Sequence, residues 1–498
     1  MKHQLAISVV LAWAAALCLR PGQALAATLV SIPAERARLV DITPASLTPL
    51  GEDVLANFRT YPVDGGGQSL TLEVSRPVLI EEPPFSDFKL RNNARFGATL
   101  AGQLNLALGR LSDDEQDERQ GRILQMLSLA GLGIARDFIS YDTHRVQVEP
   151  IKGEYDFSRV DFLVKQARRN HLQVVGRLSP HWGNIMQEGP IADANRQGYE
   201  DYVRACVKRY SGKIDVWQPL KEPEPRKRNR HGNDASLQPR DVVDILAMAH
   251  RLIKQKDPSA MVYFPGLGPE FDHERWTVDS YMEEILRLGG ARYFDILGVD
   301  AYVYDLEQTM RRHRQLLDQY SGQRKPIWVA QVGVPAERVT APINFQGGGS
   351  DQAQCEFMAR VYVKAFGLGA QKVFWGEFLD NSKLAGAKPE PFDSTGLFFT
   401  ETWQARPAFF THRLLATALD GFDQVERLGP TAFRFRFPDR GAVTVAWPER
   451  NAQGADVQAS RQVDRPAAEP PSRQYNPGLR RSLRDSALEG GRRSSPGR

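Results

Sequence analysis

Between residues 95 and 375 the sequence alternates short β-branched or aromatic runs with longer stretches of helical periodicity. The runs fall at 95–99, 134–139, 173–178, 214–218, 261–265, 296–299, 327–330 and 372–375. Strands separated by a helix or a long loop imply parallel pairing, because each crossover must return the chain to the same end of the sheet. Eight such runs in about 280 residues fit a closed (β/α)8 TIM barrel, whereas a doubly wound open sheet normally uses fewer strands. One connecting helix is explicit, with Val242, Val243, Ile245, Leu246, Ala249, Leu252 and Ile253 forming a single apolar stripe.

The flanks follow a different period. In 27–94, Arg38-Leu39-Val40-Asp41-Ile42 and Ser69-Leu70-Thr71-Leu72-Glu73-Val74 alternate polar with apolar around a Gly65-Gly66-Gly67 turn. These strands are too few for a core of their own. The stretch Thr402 to Phe410 leads into a helix ending near Leu419, and 432–437 with 442–447 then read as a hairpin. We therefore expect a barrel over 95–420 and a small β-domain built from both chain ends, 27–94 and 421–450. Residues 451–498 contain no Phe, Ile or Trp and are rich in Arg, Ser, Pro and Gly, so they are expected to form a disordered Arg-rich tail.

Residues 1–26 read as a signal peptide: Lys2 and His3, an apolar run from Leu5 to Leu19, then Ala24-Leu25-Ala26 before a cleavage point at Ala27. The expected destination is the periplasm or the extracellular space. No later segment approaches the ~20 apolar residues of a membrane span. Cys206 and Cys355 lie in helical stretches and are expected to be unlinked core thiols. The formal charge of +4 comes from the ends: 451–498 hold nine Arg against five acids, and the first 26 residues add Lys2 and Arg20, leaving 27–450 at about −2. That balance gives nucleic-acid binding no support.

In a parallel barrel the working residues sit at the carboxyl ends of the strands, where the loops converge on one mouth. The second run ends near Arg136-Asp137 and the third at Ser179-Pro180-His181-Trp182. The fourth ends at Lys221-Glu222-Pro223, the sixth at Asp300-Ala301-Tyr302, the seventh at Gln331 and the eighth at Trp375-Gly376-Glu377. Singly these are ordinary: a strand-end Arg is as often a structural ion pair, a His-Trp pair is usually packing, and a Glu is often a solvated loop charge. Jointly, acids and aromatics from separate strands at one mouth describe a site for a polysaccharide or oligosaccharide, with flat rings for pyranose faces and polar groups for hydroxyls. No metal-ligand spacing, cofactor motif or phosphate-cradling loop is present, and Gly347-Gly348-Gly349-Ser350 reads as a flexible loop over the mouth.

These residues carry a resemblance. Glu149-Pro150-Ile151-Lys152-Gly153-Glu154-Tyr155-Asp156-Phe157 followed by Asp161, Trp217 through Glu224, Lys325 through Pro335, Trp375, and Ala405-Arg406-Pro407-Ala408-Phe409 resemble segments of the retaining (β/α)8 glycoside hydrolases. The likeness is greatest to the family 39 group, which includes bacterial exopolysaccharide glycosidases, and it spans roughly 95–420. It implies Glu222 as acid/base, Gln331 at the position of the nucleophilic Glu, and Arg136 and Trp375 as active-site residues; with the strand-end residues His181, Trp182, Lys221, Asp300, Tyr302 and Glu377, Arg136 and Trp375 make up the expected substrate-binding set. The departures cluster at the centre: Lys221 replaces an Asn, Asp300 a His and Gln331 the Glu. An amide has no anionic oxygen with which to attack an anomeric carbon, and the retaining route needs two carboxyl groups about 5–5.5 Å apart. Three readings stay open: a hydrolase that uses Glu377, Asp300 or Asp137 as base or relies on its substrate, a catalytically silent polysaccharide binder in an export or assembly system, and a structural partner.

Overall fold

The computed structural model describes residues 28–47, 53–67, 69–90, 93–100, 112–136, 148–149, 153–178, 193–220, 223, 237–267, 276–302, 305–337, 348–380, 392–400 and 402–449. Five strands precede the barrel: β1 (Thr28–Ile32), β2 (Arg36–Asp41), β3 (Thr60–Asp64), β4 (Leu70–Val74) and β5 (Val78–Glu81). The barrel strands are β6 (Asn93–Thr99), β7 (Leu132–Arg136), β8 (Gln173–Arg177), β9 (Val216–Gln218), β10 (Met261–Phe264), β11 (Ile296–Asp300), β12 (Ile327–Val332) and β13 (Ala370–Trp375). They close in sequence order with every neighbouring pair parallel. All eight expected runs form these strands.

The helices are α1 (Asp113–Leu129), α2 (Ser158–Arg169), α3 (Asp193–Tyr210), α4 (Pro239–Lys256), α5 (Val278–Arg287), α6 (Leu306–Tyr320), α7 (Asp351–Gly367) and α8 (Pro407–Ala418). The apolar stripe at 242–253 lies on α4, and each of its seven members is buried. Ser350 caps α7 by accepting from the Ala353 amide at 3.1 Å, and the Gly349 amide donates to the Pro335 carbonyl at 2.9 Å. The described part of the Gly-rich stretch, 348–350, is non-helical chain that leads into α7.

Inside the barrel, Ile134, Val175, Val216, Tyr263, Ile296, Trp328, Ala330 and Phe374 form one apolar cluster. Their strand neighbours, including Ala135, Val174, Trp217, Val262, Leu297, Val329, Val373 and Trp375, belong to the larger core under the helices. Alternation of side chains across a strand explains the split, and burial on both faces is the rule for parallel sheets.

β14 (Gln424–Gly429), β15 (Ala432–Arg436) and β16 (Val443–Ala446) follow α8 and join the amino-terminal strands in a six-stranded sheet ordered β14-β15-β16-β5-β2-β3. The expected hairpin is β15–β16, and the two chain ends do share a sheet. One pairing differs from expectation. The 69–74 run is β4, which pairs with β1 in a separate two-stranded sheet. The amino-terminal strand that meets β16 is β5, whose four residues are all buried and so show no alternation to read. Arg434 seals the junction with two hydrogen bonds to Glu82, 2.8 Å from Nε and 2.5 Å from Nη2. Such forked pairing satisfies both buried charges. Cys206 and Cys355 are buried and free. The expected signal peptide at 1–26 and tail at 451–498 lie outside the described residues.

Candidate active site

The apolar layer in the lumen is followed toward the carboxyl ends by a polar one. Arg136 stands two residues beyond Ile134, Arg177 two beyond Val175, and Gln218 two beyond Val216, so each continues the inward face of its strand. Thr99 and Asp300 hold the corresponding end positions on β6 and β11. Strand register makes neighbours of Thr99 and Arg136, of Arg177 and Gln218, and of Asp300 and Gln331. Buried polar side chains in a ring at the mouth are costly unless mutually satisfied.

Gln331 reaches this ring because β12 is irregular. Val299 pairs with Val329, but Asp300 pairs with Gln331, so Ala330 is an extra residue. Its carbonyl, released from regular pairing, accepts from Arg136 Nη1 at 2.6 Å and from Thr99 Oγ1 at 3.2 Å. The bulge reverses the alternation beyond it, leaving Val332 in the outer core and turning Gln331 toward Asp300. Gln331 Nε2 donates to Asp300 Oδ2 at 3.3 Å, and the two side chains are 5% and 3% exposed. Gly266 backs this pair, since a Cβ there would stand 2.5 Å from Asp300 Oδ1.

After β13, Glu377 is nearly buried, and its amide donates to Thr395 Oγ1 at 3.4 Å. Tyr302 is buried beneath Phe392, with ring centroids 5.2 Å apart, and its hydroxyl occupies the space that a Cβ on Gly376 would need. The loop carrying Glu377 is tied down by Arg406, which donates to Asp380 Oδ2 at 3.0 Å from Nε and 2.6 Å from Nη2 and packs on Phe399 at 3.9 Å. Burial, acting against that arginine, raises the Asp380 carboxyl to about 6.

The structure thus brings Arg136, Asp300, Gln331, Tyr302 and Glu377 to the mouth region. It does not bring Trp375. That indole packs on Phe357 and Tyr362 of α7, donates to the Thr395 carbonyl at 2.9 Å and is wholly buried, so the expectation of a sugar-facing platform is corrected. Phe374 takes the inward position and Trp375 the outward one. His181, Trp182, Lys221, Glu222 and Asp137 lie outside the described residues. Reading each run past its end missed Arg177 and Gln218. Counting in twos from Val175 and Val216 would have found both.

Two of the resembling segments act as scaffolding. Glu149 accepts from the Gly153 amide at 2.6 Å, and Asp156 accepts from the Ser158 amide at 2.8 Å, which starts α2. Arg406 holds the loop after β13. Among the described residues no group of His, Cys, Asp or Glu is placed to hold a metal ion, and no helix is long and apolar enough to cross a membrane.

Comparison with solved structures gives a family 39 glycoside hydrolase from the gut symbiont Bacteroides cellulosilyticus WH2, with a TM-score of 0.54 over 86% of this chain and 88% of that one. The two share a barrel of eight parallel strands wrapped by helices. Identity in that alignment is 13%, so the likeness concerns the fold alone. A GH10 protein of Paenibacillus barcinonensis aligns over 65% of this chain and 97% of its own, at 18% identity and a TM-score of 0.44. In sequence, endo-1,4-β-xylanase C of the same organism is 20% identical over 304 residues, 53% of this chain. The present chain spans only 26% of that relative's length. No family model matches. The closed parallel barrel accounts for the strand-end location of the polar ring, because loops vary above a constant barrel.

Proposed function

We propose that this chain acts on O-glycosidic bonds of a polysaccharide, with Glu222 as proton donor and Gln331 at the position where a retaining enzyme carries its nucleophile. The observation that supports this is the buried Gln331–Asp300 hydrogen bond, 3.3 Å long, at the ends of adjacent strands. A carboxamide there forms no glycosyl intermediate, so the hydrolytic route is an inverting one, in which Asp300 or Glu377 activates water. That route calls for about 6.5–9.5 Å between the base and Glu222. Arg136, Arg177 and Gln218 add polar side chains that could meet sugar hydroxyls. Export belongs to the same reading and is supported by the charged, apolar and small-residue order of 1–26.

The test is release of reducing ends from polysaccharides, with the anomeric configuration of the first product read by NMR. Inversion that disappears in Glu222→Gln is the expected result. Gln331→Glu should create retaining activity and raise turnover of an aryl glycoside by ~10²-fold or more. No gain in that variant would remove residue 331 from the nucleophile position.

A second reading is favoured by the same contact. The Gln331 amide is already donating to Asp300, an arrangement suited to holding a sugar hydroxyl without cleaving it. Saturable oligosaccharide binding with no turnover in either protein would select the binder.

A further inference from the structure

A second concavity lies outside the barrel, in the helical layer. A groove of about 470 Å³ between α2 and the end of α3 is lined by Lys165, Arg168, Arg169, Arg209, Lys213 and one acid, Asp161. That volume falls within the ~300–1,000 Å³ usual for ligand sites. Buried Val164 and Tyr210 form its floor.

Helix ends explain only part of the charge. Arg168 and Arg169 in the last turn of α2, and Arg209 in that of α3, complement exposed carbonyls. Lys165 stands a turn earlier, where that effect has faded, and Lys213, just beyond α3, donates back to the Arg209 carbonyl at 3.5 Å. Asp161 compensates one cation, accepting from Arg209 Nε at 3.2 Å and from its Nη2. Four positive charges remain together in a segment, 27–450, whose sum is about −2. An anion bound among them would relieve their mutual repulsion.

Aromatic rings extend from the same place. Lys213 Nζ lies 6.0 Å from the Tyr210 ring, and Arg209 Cζ lies 5.3 Å from that of Phe157. Phe157 meets Tyr210 edge-on at 5.8 Å and stacks with Tyr155 at 6.0 Å. Tyr155 is exposed. Cations beside a ring open to solvent match a sugar chain that carries carboxylates, the ring taking an apolar pyranose face and the cations the charges.

We propose that this groove binds an acidic polysaccharide of the uronate type, separately from the barrel mouth. The choice of a sugar polymer over another polyanion rests on the glycoside-hydrolase reading above.

The experiment is affinity electrophoresis of the full chain in native gels containing polygalacturonate, neutral dextran or duplex DNA, each normalised to a polymer-free gel. Wild-type protein should be retarded by polygalacturonate and not by dextran, and the retardation should weaken as salt rises. Lys165→Glu/Arg168→Glu/Lys213→Glu should lose at least ~10-fold in affinity, whereas the same charge change at exposed Lys256, Arg287 and Arg311 should lose far less. A thermal midpoint within a few degrees of wild type shows that the triple variant is folded. Undiminished retardation of that variant overturns the proposal and assigns binding to another basic segment, such as 451–498. Equal retardation by DNA overturns the polysaccharide assignment. Competition by inorganic phosphate as effective as that by the polymer's own oligomers means an adventitious ion only, and likewise overturns it. Glu222→Gln should keep full groove binding, so failure of the mouth chemistry and failure of the groove are separate results.

Discussion

Ile134 and Arg136 stand two residues apart on β7, as do Val175 and Arg177 on β8 and Val216 and Gln218 on β9. The first member of each pair packs in the apolar layer with Trp328 and Phe374, and the second belongs to the polar ring at the strand ends. One pleat of the same strand separates a site that serves stability from a site available for chemistry. The lower layer excludes water by filling the lumen with rings, with Tyr263 5.4 Å and Phe374 5.6 Å from Trp328. The upper layer is equally buried but keeps charges of both signs, which only mutual hydrogen bonding and ion pairing make tolerable.

Trp328→Ala tests the lower layer most severely. It should cost about 3–5 kcal/mol, the usual range for removing a buried Trp, read from denaturant unfolding. A loss below about 1 kcal/mol would mean that the lumen is not packed around this ring.

The contrast sharpens in the outer core, where an ionisable group is held neutral instead of paired. Burial alone pushes the His412 imidazole down to about 3. Its Nδ1 lies 3.0 Å from the Tyr362 hydroxyl. Between about 3 and the ordinary value of about 6.5, the unfolded chain binds a proton that the folded one refuses. Stability should therefore fall as pH drops through that window. His412→Gln should reduce the difference in denaturation midpoint between pH 7 and pH 4.5, and an unchanged difference would show that His412 does not carry it.

The smallest effect belongs to the ring itself. Thr99→Val removes one of two donors to the Ala330 carbonyl while Arg136 keeps the other, so the expected cost is about 0.5–1.5 kcal/mol. A much larger loss in thermal or chemical denaturation would indicate that the bulge depends on Thr99.

Much of this was legible in the chain, and the misses have identifiable causes. The eight strands and the stripe of α4 were readable because period and length alone distinguish them. Trp375 was misread because Phe374 and Trp375 are both apolar on a strand buried on both faces, so nothing in the sequence tells the lumen side from the helix side. β5 was missed for the same reason. Arg177 and Gln218 lie within the runs at 173–178 and 214–218, ahead of the residues beyond each run where the site was expected.

The sequence by itself determined a barrel of parallel strands and a sheet shared by the two chain ends. Those properties follow from periodicity and residue identity, which are local. Only the tertiary structure decided that Gln331 faces Asp300, that Trp375 faces away, and that five cations from α2, α3 and the turn after α3 share one groove with Asp161. Each depends on register across strands or packing between helices, set by contacts between residues far apart in the chain, and a bulge of one residue is enough to reverse which side a residue presents.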